Sequence, residues 1–140
     1  MLIGYYFDTV NKKLSCNMIQ QNLLVVDDEQ RFANMLAKRL GLRGFACEVC
    51  YSGKDALKMV KRGKFFLILL DLHLPDMYGT EVLTRIKRNS SQTPVVILTG
   101  HGTEEDRQEC MKRGAHAFIQ KPSSIEELMA ILSQIKEASA

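Results

Sequence analysis

Short apolar runs alternate along this chain with segments whose apolar residues follow helical spacing. The runs are rich in Val, Ile and Leu and are bounded by polar or turn-forming residues, which predicts strands of a parallel sheet buried on both faces. Five strands are predicted in this way, at residues 22–26, 46–51, 65–70, 94–99 and 117–120. A helical pattern follows each strand, so the sequence predicts an α/β fold, a doubly wound five-stranded parallel sheet with right-handed crossovers.

The ends of the predicted helices are marked by capping residues and glycines. Asp28 is the predicted N-cap of the first helix, and Ser124 begins a capping box for the fifth. Gly79 opens the third helix. The fourth spans residues 103–113 and ends at Gly114.

Polar side chains stand where the apolar runs end. Asp27 and Asp28 follow the first strand, Asp71 follows the third, Thr99 ends the fourth, and Lys121 follows the fifth. Ligands of open α/β sheets bind outside the carboxyl ends of the strands, so these side chains are expected to converge on one edge. Crowded carboxylates suit a divalent cation, and a carboxylate can attack phosphorus to give an acyl phosphate. With a lysine as counter-charge and a hydroxyl as donor, the set predicts a phosphoryl-binding site.

This ordered set resembles the receiver domain of two-component response regulators. The resemblance covers roughly residues 20–137, and its matching positions are Asp27-Asp28, residues 71–79, Thr99-Gly100 and Lys121-Pro122. It implies the flavodoxin-like fold with strand order 2-1-3-4-5. Residues 21–140 would then form the receiver domain. Residues 1–20 would be an N-terminal extension of unknown role, either flexible, an added element, or sequence upstream of a true start at Met18.

The resemblance implies a phosphoacceptor and a metal site. Asp71 would be phosphorylated. Asp28 and Asp71 would bind Mg²⁺ directly, Asp27 would help partly through water, and the backbone carbonyl of His73 would be a further ligand.

The resemblance also implies a switch. Lys121 would pair with the phosphoryl oxygens, aimed by a cis peptide bond to Pro122. Thr99 would move toward the phosphoryl group, and Phe118, at the switch-aromatic position, would turn inward when it does. The surface formed by the fourth helix, fifth strand and fifth helix would change for a partner.

Such a protein would take its phosphoryl group from a histidine kinase or a histidine phosphotransfer protein and act on a downstream effector protein. It would catalyse only its own phosphorylation and dephosphorylation, and a homodimer is compatible with this picture. The main alternative is an interaction module of the same fold that needs no phosphorylation. A Mg²⁺-dependent phosphohydrolase resembling the haloacid dehalogenase family is disfavoured, because a second Asp is expected where His73 stands.

Two histidines lie close to the predicted site. His73 and His101 stand two residues after Asp71 and Thr99. One hypothesis is that they tune the lifetime of the phosphoryl group, and the other is that they are ordinary exposed loop residues.

Composition narrows the class of protein. The net charge of +3 and pI of about 8.7 are mildly basic and spread over helix ends, which does not favour direct nucleic-acid binding. No apolar run approaches the roughly 20 residues of a membrane span, and residues 1–7 make a poor signal peptide. A cytoplasmic protein is therefore expected. The last predicted helix runs nearly to Ala140, so the chain would be a stand-alone receiver if it is the full protein, and whether an output domain was removed stays open.

Four cysteines are present, at positions 16, 47, 50 and 110. Cys47 and Cys50 have the spacing of a redox or zinc pair, but they lie in a predicted strand where residues three apart face opposite sides. Free thiols in a reducing compartment are therefore the preferred interpretation.

Overall fold

The computed structural model describes residues 21–121 and 124–139. Five parallel strands form one sheet in the order β2-β1-β3-β4-β5. The strands are β1 (Asn22–Val26), β2 (Ala46–Cys50), β3 (Leu67–Leu70), β4 (Val95–Thr99) and β5 (Ala117–Gln120). The helices that follow them are α1 (Gln30–Gly41), α2 (Gly53–Arg62), α3 (Gly79–Asn89), α4 (Glu104–Lys112) and α5 (Ile125–Ser139). The predicted fold, alternation and strand order are confirmed.

The sheet separates two hydrophobic cores, because successive residues of a strand point to opposite faces. Leu24 and Val26 of β1 pack in one core with residues of α2, α3 and α4. Leu23 and Val25 pack in the other with residues of α1 and α5. Apolar faces on both sides leave β1, β3 and β4 almost fully buried, which is why they appear as continuous apolar runs.

The predicted boundaries differ from the structure by one or two residues at three strands. β2 ends one residue earlier than predicted, β3 begins at Leu67 and not at Phe65, and β4 begins after Pro94. Phe65 is nevertheless buried. The apolar side chain of Phe65 therefore indicated that the residue belongs to the core, but not that it pairs in the sheet. Among the described residues, no helix is long and apolar enough to cross a membrane.

Cys47 and Cys50 face opposite sides of the sheet, as their spacing in a strand predicted. Cys50 is part of the core under α2 to α4, whereas Cys47 packs against the core under α1 and α5. Both are free thiols, as is the buried Cys110 of α4. Cys47 and Cys50 therefore cannot share one metal ion or form a redox pair across the sheet.

These three thiols should react slowly with alkylating reagents in the folded protein. Burial raises the pKa of Cys47 and Cys110 to about 11 and that of Cys50 to about 12. A rise of two pKa units reduces the thiolate fraction about 100-fold. We expect iodoacetamide at slightly alkaline pH to modify these cysteines on the order of 100-fold faster in urea than in buffer, measured by peptide mapping. Equal rates would contradict their placement.

Candidate functional site

Two of the predicted carboxylates are brought together by strand register. Val26 of β1 pairs with Leu70 of β3, so the residues that follow, Asp27 and Asp71, leave neighbouring strands side by side. The backbone N–H of Asp71 donates to the carbonyl of Val26 at 2.9 Å, which continues the pairing past the strand ends. Asp28 completes the cluster, and one carboxylate oxygen from each of the three lies within 4.8 Å of the others. The predicted convergence of the three carboxylates is confirmed.

The sequence predicted Asp28 as the N-cap of α1, and this prediction is wrong. The cap is Glu29, whose side chain makes no capping hydrogen bond. Asp27 takes part in this turn instead, since its Oδ1 accepts from the backbone N–H of Glu29 at 2.9 Å. The carboxylate of Asp28 remains exposed beside the two buried ones. It is therefore available to a ligand from solvent.

Lys121 supplies the positive charge of the site. Its backbone N–H donates to the carbonyl of Thr99 at 2.8 Å, which fixes the residue beyond the end of β5. Its Nζ donates to Asp27 Oδ2 at 2.6 Å and lies 4.0 Å from Asp71 Oδ2. Burial raises the pKa of the Asp27 carboxyl above its ordinary value, although the hydrogen bonds from Lys121 and Glu29 act to lower it.

Two neighbours of Lys121 were not anticipated as site residues. Its Nζ lies 4.1 Å from the centre of the Phe32 ring, a distance that favours a cation–π interaction. Glu29 Oε1 is 3.8 Å from the same Nζ. Phe32 is in the first turn of α1, and Glu29 is the residue just before that helix. The first turn of α1 therefore forms one wall of the site.

Thr99 and Phe118, on the neighbouring strands β4 and β5, lie close to each other beside Gly102. The Thr99 side chain is fully buried at the end of β4, and its Oγ1 is 3.5 Å from the backbone nitrogen of His101. The methyl group of Thr99 and the end of the Phe118 ring both lie within 3 Å of the place where a Cβ on Gly102 would be. Phe118 is half-buried and packs against the core under α2 to α4. A movement of Thr99 toward the site would thus alter the space beside the ring.

The two histidines lie together at the rim. His73 Nε2 is 3.2 Å from the backbone oxygen of His101, and the ring centres are 6.1 Å apart. The His73 ring also meets the ring of Tyr78 edge-on at 5.5 Å. The Tyr78 hydroxyl donates to Asp106 in the first turn of α4 at 3.2 Å. Both histidines are exposed, and their influence on phosphoryl lifetime stays a hypothesis.

The predicted cis peptide bond between Lys121 and Pro122 cannot be placed, because Pro122 lies outside the described residues.

The donor set fits a small divalent cation. Carboxylate oxygens are hard ligands, and two oxygens bound to one Mg²⁺ lie at most about 4.2 Å apart, since each bond is about 2.1 Å long. In the cluster of Asp27, Asp28 and Asp71, the oxygens lie within 4.8 Å of one another, which slightly exceeds this limit. The cluster therefore fits one Mg²⁺ if one of the carboxylates binds through water. Lys121 already neutralises part of the charge at Asp27. The negative charges of Asp28 and Asp71 are therefore less neutralised by Lys121 than that of Asp27.

Curated relatives of this chain are transcriptional regulators. The chain is 35% identical over 113 residues to an uncharacterized transcriptional regulatory protein, YkoG, of Bacillus subtilis, covering 81% of this chain and 50% of that protein. It is 35% identical over 111 residues to the transcriptional regulatory protein SrrA of Staphylococcus aureus, covering 79% and 46%. The chain thus spans about half the length of the curated relatives it matches.

Solved structures of similar fold are response regulators and their receiver domains. A response regulator from Burkholderia pseudomallei, with a phosphorylated aspartic acid, a calcium ion and citrate, aligns with a TM-score of 0.76 and 29% identity, covering 86% of this chain and 73% of that one. The receiver domain of a LuxO-like repressor from Vibrio parahaemolyticus aligns with a TM-score of 0.78 and 30% identity, covering 85% and 95%.

The family model of the response regulator receiver domain matches residues 23–133. That span begins in β1 and ends in α5, so it includes all five strands and every described residue of the acidic cluster. Sequence, strand order and site geometry agree, and the chain belongs to the response regulator receiver domain family.

Proposed function

We propose that this receiver domain accepts a phosphoryl group on Asp71 from a histidine kinase or a histidine phosphotransfer protein, in a Mg²⁺-dependent reaction. The observation that carries the proposal is the edge of the sheet where three carboxylates lie within 4.8 Å of one another beside the half-buried Lys121. A purely structural role does not explain this cluster, because crowding like charges and burying Asp27 both cost free energy.

Asp71 is the proposed nucleophile. Its Oδ1 accepts from the backbone N–H of Leu72 at 2.8 Å, which fixes the carboxylate, while Oδ2 faces Lys121. An Asp71 oxygen forms the new bond to phosphorus as the bond to the donor breaks, and the donor, an imidazole or the acetate of acetyl phosphate, leaves with the electron pair. A phosphoryl group on Oδ2 would lie within reach of the ammonium of Lys121. Lys121 would then stabilise the added negative charge.

The metal is proposed to be held by Asp28 and Asp71 directly and by Asp27 partly through water, with the backbone carbonyl of His73 as a further ligand. When bound, a divalent ion neutralises charge on the transferring phosphoryl group. The protein contributes the fixed carboxylates and the removal of water from Asp27 and Asp71, which are 2% and 5% exposed.

The switch is proposed to run from Thr99 to Phe118. The Thr99 hydroxyl would donate to a phosphoryl oxygen and leave its present place near His101. The half-buried Phe118 ring would then move into the space that Thr99 borders, which alters the surface formed by α4, β5 and α5. That surface would contact a downstream effector protein or a second copy of the chain.

The remaining proposals concern the wider protein. Residues 21–140 would be the receiver and residues 1–20 an extension. The chain would catalyse only its own phosphorylation and dephosphorylation, in the cytoplasm. The relatives are transcriptional regulatory proteins by name. Regulation of transcription is therefore the proposed output of the wider protein, while this chain itself is proposed to act by protein contact without direct nucleic-acid binding.

Phosphorylation of the parent chain tests the proposal. Incubation with acetyl phosphate and Mg²⁺ should add one phosphoryl group, measured by intact mass, and chelation of the metal should prevent it. Repeating the incubation with Ca²⁺ in place of Mg²⁺ measures how strongly the extent of phosphorylation depends on the identity of the cation. If the folded chain gains no phosphoryl group with Mg²⁺ present, the alternative of a phosphorylation-independent interaction module is favoured.

A further inference from the structure

The loop that follows Asp71 is closed at its base. The backbone N–H of Gly79, at the start of α3, donates to the carbonyl of Leu72 at 2.7 Å. One residue further in, His73 and Tyr78 form an antiparallel bridge. Residues 72–79 therefore return to the point where they leave the sheet. The remaining freedom of the loop is at its tip.

The tip of this loop is attached to a different element, the N-terminus of α2. Asp76 Oδ1 accepts from the backbone N–H of Gly53, and Oδ2 accepts from that of Lys54, both at 2.8 Å. The side chain of Met77 occupies the place where a Cβ on Gly53 would lie, beside this contact. Desolvation is the largest single influence and works against ionisation of Asp76, but the backbone N–H donors together outweigh it and lower the pKa of its carboxyl. The carboxylate is thus the form that holds the loop.

The first turn of α2 also has a local cap. Ser52 Oγ accepts from the backbone N–H of Asp55 at 3.1 Å. The N-terminus of α2 is therefore capped by Ser52 as well as by Asp76. The hydrogen bonds of Asp76 also do something that the bond of Ser52 does not. They connect the loop beside the phosphoacceptor to a helix that contributes none of the three clustered carboxylates.

We propose that Asp76 is a positioning residue for the phosphoacceptor site. By fixing the tip of the loop on α2, it holds the backbone after Asp71, including the carbonyl of His73, in the place required for a divalent cation. Asp76 touches neither the cation nor the phosphoryl group. The inference rests on the proposed function, since it assigns Asp76 to the metal-dependent step of that reaction.

Two variants separate this role from simple helix capping. Asp76→Ala removes the loop anchor, and Ser52→Ala removes the local cap while leaving Asp76 in place. Hydrogen exchange of the Gly79 amide and of the peptide spanning residues 72–80 should be faster in Asp76→Ala but unchanged in Ser52→Ala. Mg²⁺ binding by calorimetry, without any phosphoryl donor, should weaken on the order of tenfold in Asp76→Ala alone.

Phosphorylation by acetyl phosphate adds a third measurement. The Mg²⁺ concentration for half-maximal rate should rise in Asp76→Ala by the same factor as the binding constant, while the rate at saturating Mg²⁺ stays close to that of the parent. Asp76→Asn, which keeps one acceptor oxygen, should be intermediate and serves if the alanine variant does not fold.

The outcomes distinguish the two proposals. If Asp76→Ala and Ser52→Ala behave alike in exchange and Mg²⁺ binding, Asp76 is only a helix cap and the inference is overturned. If the parent chain binds Mg²⁺ but is never phosphorylated, the proposed function fails, and the exchange and binding data still decide the role of Asp76.

Discussion

Asp71→Asn should abolish phosphorylation of this chain by acetyl phosphate. The side-chain amide keeps the shape of the carboxylate and an oxygen that can accept from the Leu72 N–H, but it is not a nucleophile toward phosphorus. Asp71 is 5% exposed, so an isosteric change is needed to keep the surrounding strand ends in place. Intact mass after incubation with acetyl phosphate and Mg²⁺ should show the unmodified chain only.

The fold of this variant should be intact. Removing one of three crowded negative charges relieves repulsion with Asp27, so the free energy of unfolding in the absence of metal should be equal to or higher than that of the parent. Urea unfolding measures this directly. A loss of phosphorylation accompanied by unfolding would not identify the acceptor, whereas loss in a stable protein would.

Asp55→Asn is the matched control. Asp55 is an exposed residue in the first turn of α2, and the substitution removes the same charge away from the strand ends. Its phosphorylation should equal that of the parent. If Asp71→Asn still gains one phosphoryl group, the acceptor is another carboxylate of the cluster, and fragmentation would locate it on Asp27 or Asp28.

The sequence was sufficient to predict the fold and the convergence of the site because both depend on a repeated local pattern. A strand buried on both faces has to be apolar throughout, so the first polar residue after the run marks the carboxyl end. Parallel strands bring those ends to one edge, which is why Asp27, Asp71 and Lys121 could be expected together before any contact was known. The structure agrees at each of these positions.

Contacts that depend on how separate elements pack were not predictable in this way. In the sequence, Asp76 is an ordinary loop residue after a proline. Its hydrogen-bond partners Gly53 and Lys54 lie more than twenty residues earlier in the chain, so no local pattern indicates the contact. The ring of Phe32 beside Lys121 depends likewise on how the first turn of α1 sits against the sheet. Asp28 was assigned a capping role because its type and position suited one, yet the turn is stabilised by Asp27.

Gly79→Ala should lower the stability of the chain, because the added methyl group would clash with backbone atoms at this edge of the sheet. A Cβ at position 79 would lie 2.6 Å from both the backbone oxygen of Asp71 and the Cα of Leu72, well inside the 3.5–4.0 Å of ordinary carbon contacts. The neighbouring atoms are backbone, and the hydrogen bond from Gly79 to Leu72 holds the two segments together. We expect the free energy of unfolding to fall by about 1–3 kcal/mol, as for other overpacked sites.

Gly41→Ala gives the comparison that isolates this effect. Gly41 is at the end of α1, and a Cβ there would meet nothing within 4 Å, so alanine should be neutral or stabilise by about 0.4–1 kcal/mol. Urea unfolding of the two variants compares the same chemical change in open space and against the backbone of Asp71. Because the clash at position 79 involves the backbone of Asp71 and Leu72, its relief is expected to shift the segment next to the proposed phosphoacceptor, and the folded Gly79 variant should then be phosphorylated more slowly than the parent. If the two variants unfold with equal free energy, the loop and α3 can move apart without cost. That result would contradict the view that close packing behind Asp71 holds its carboxylate in position.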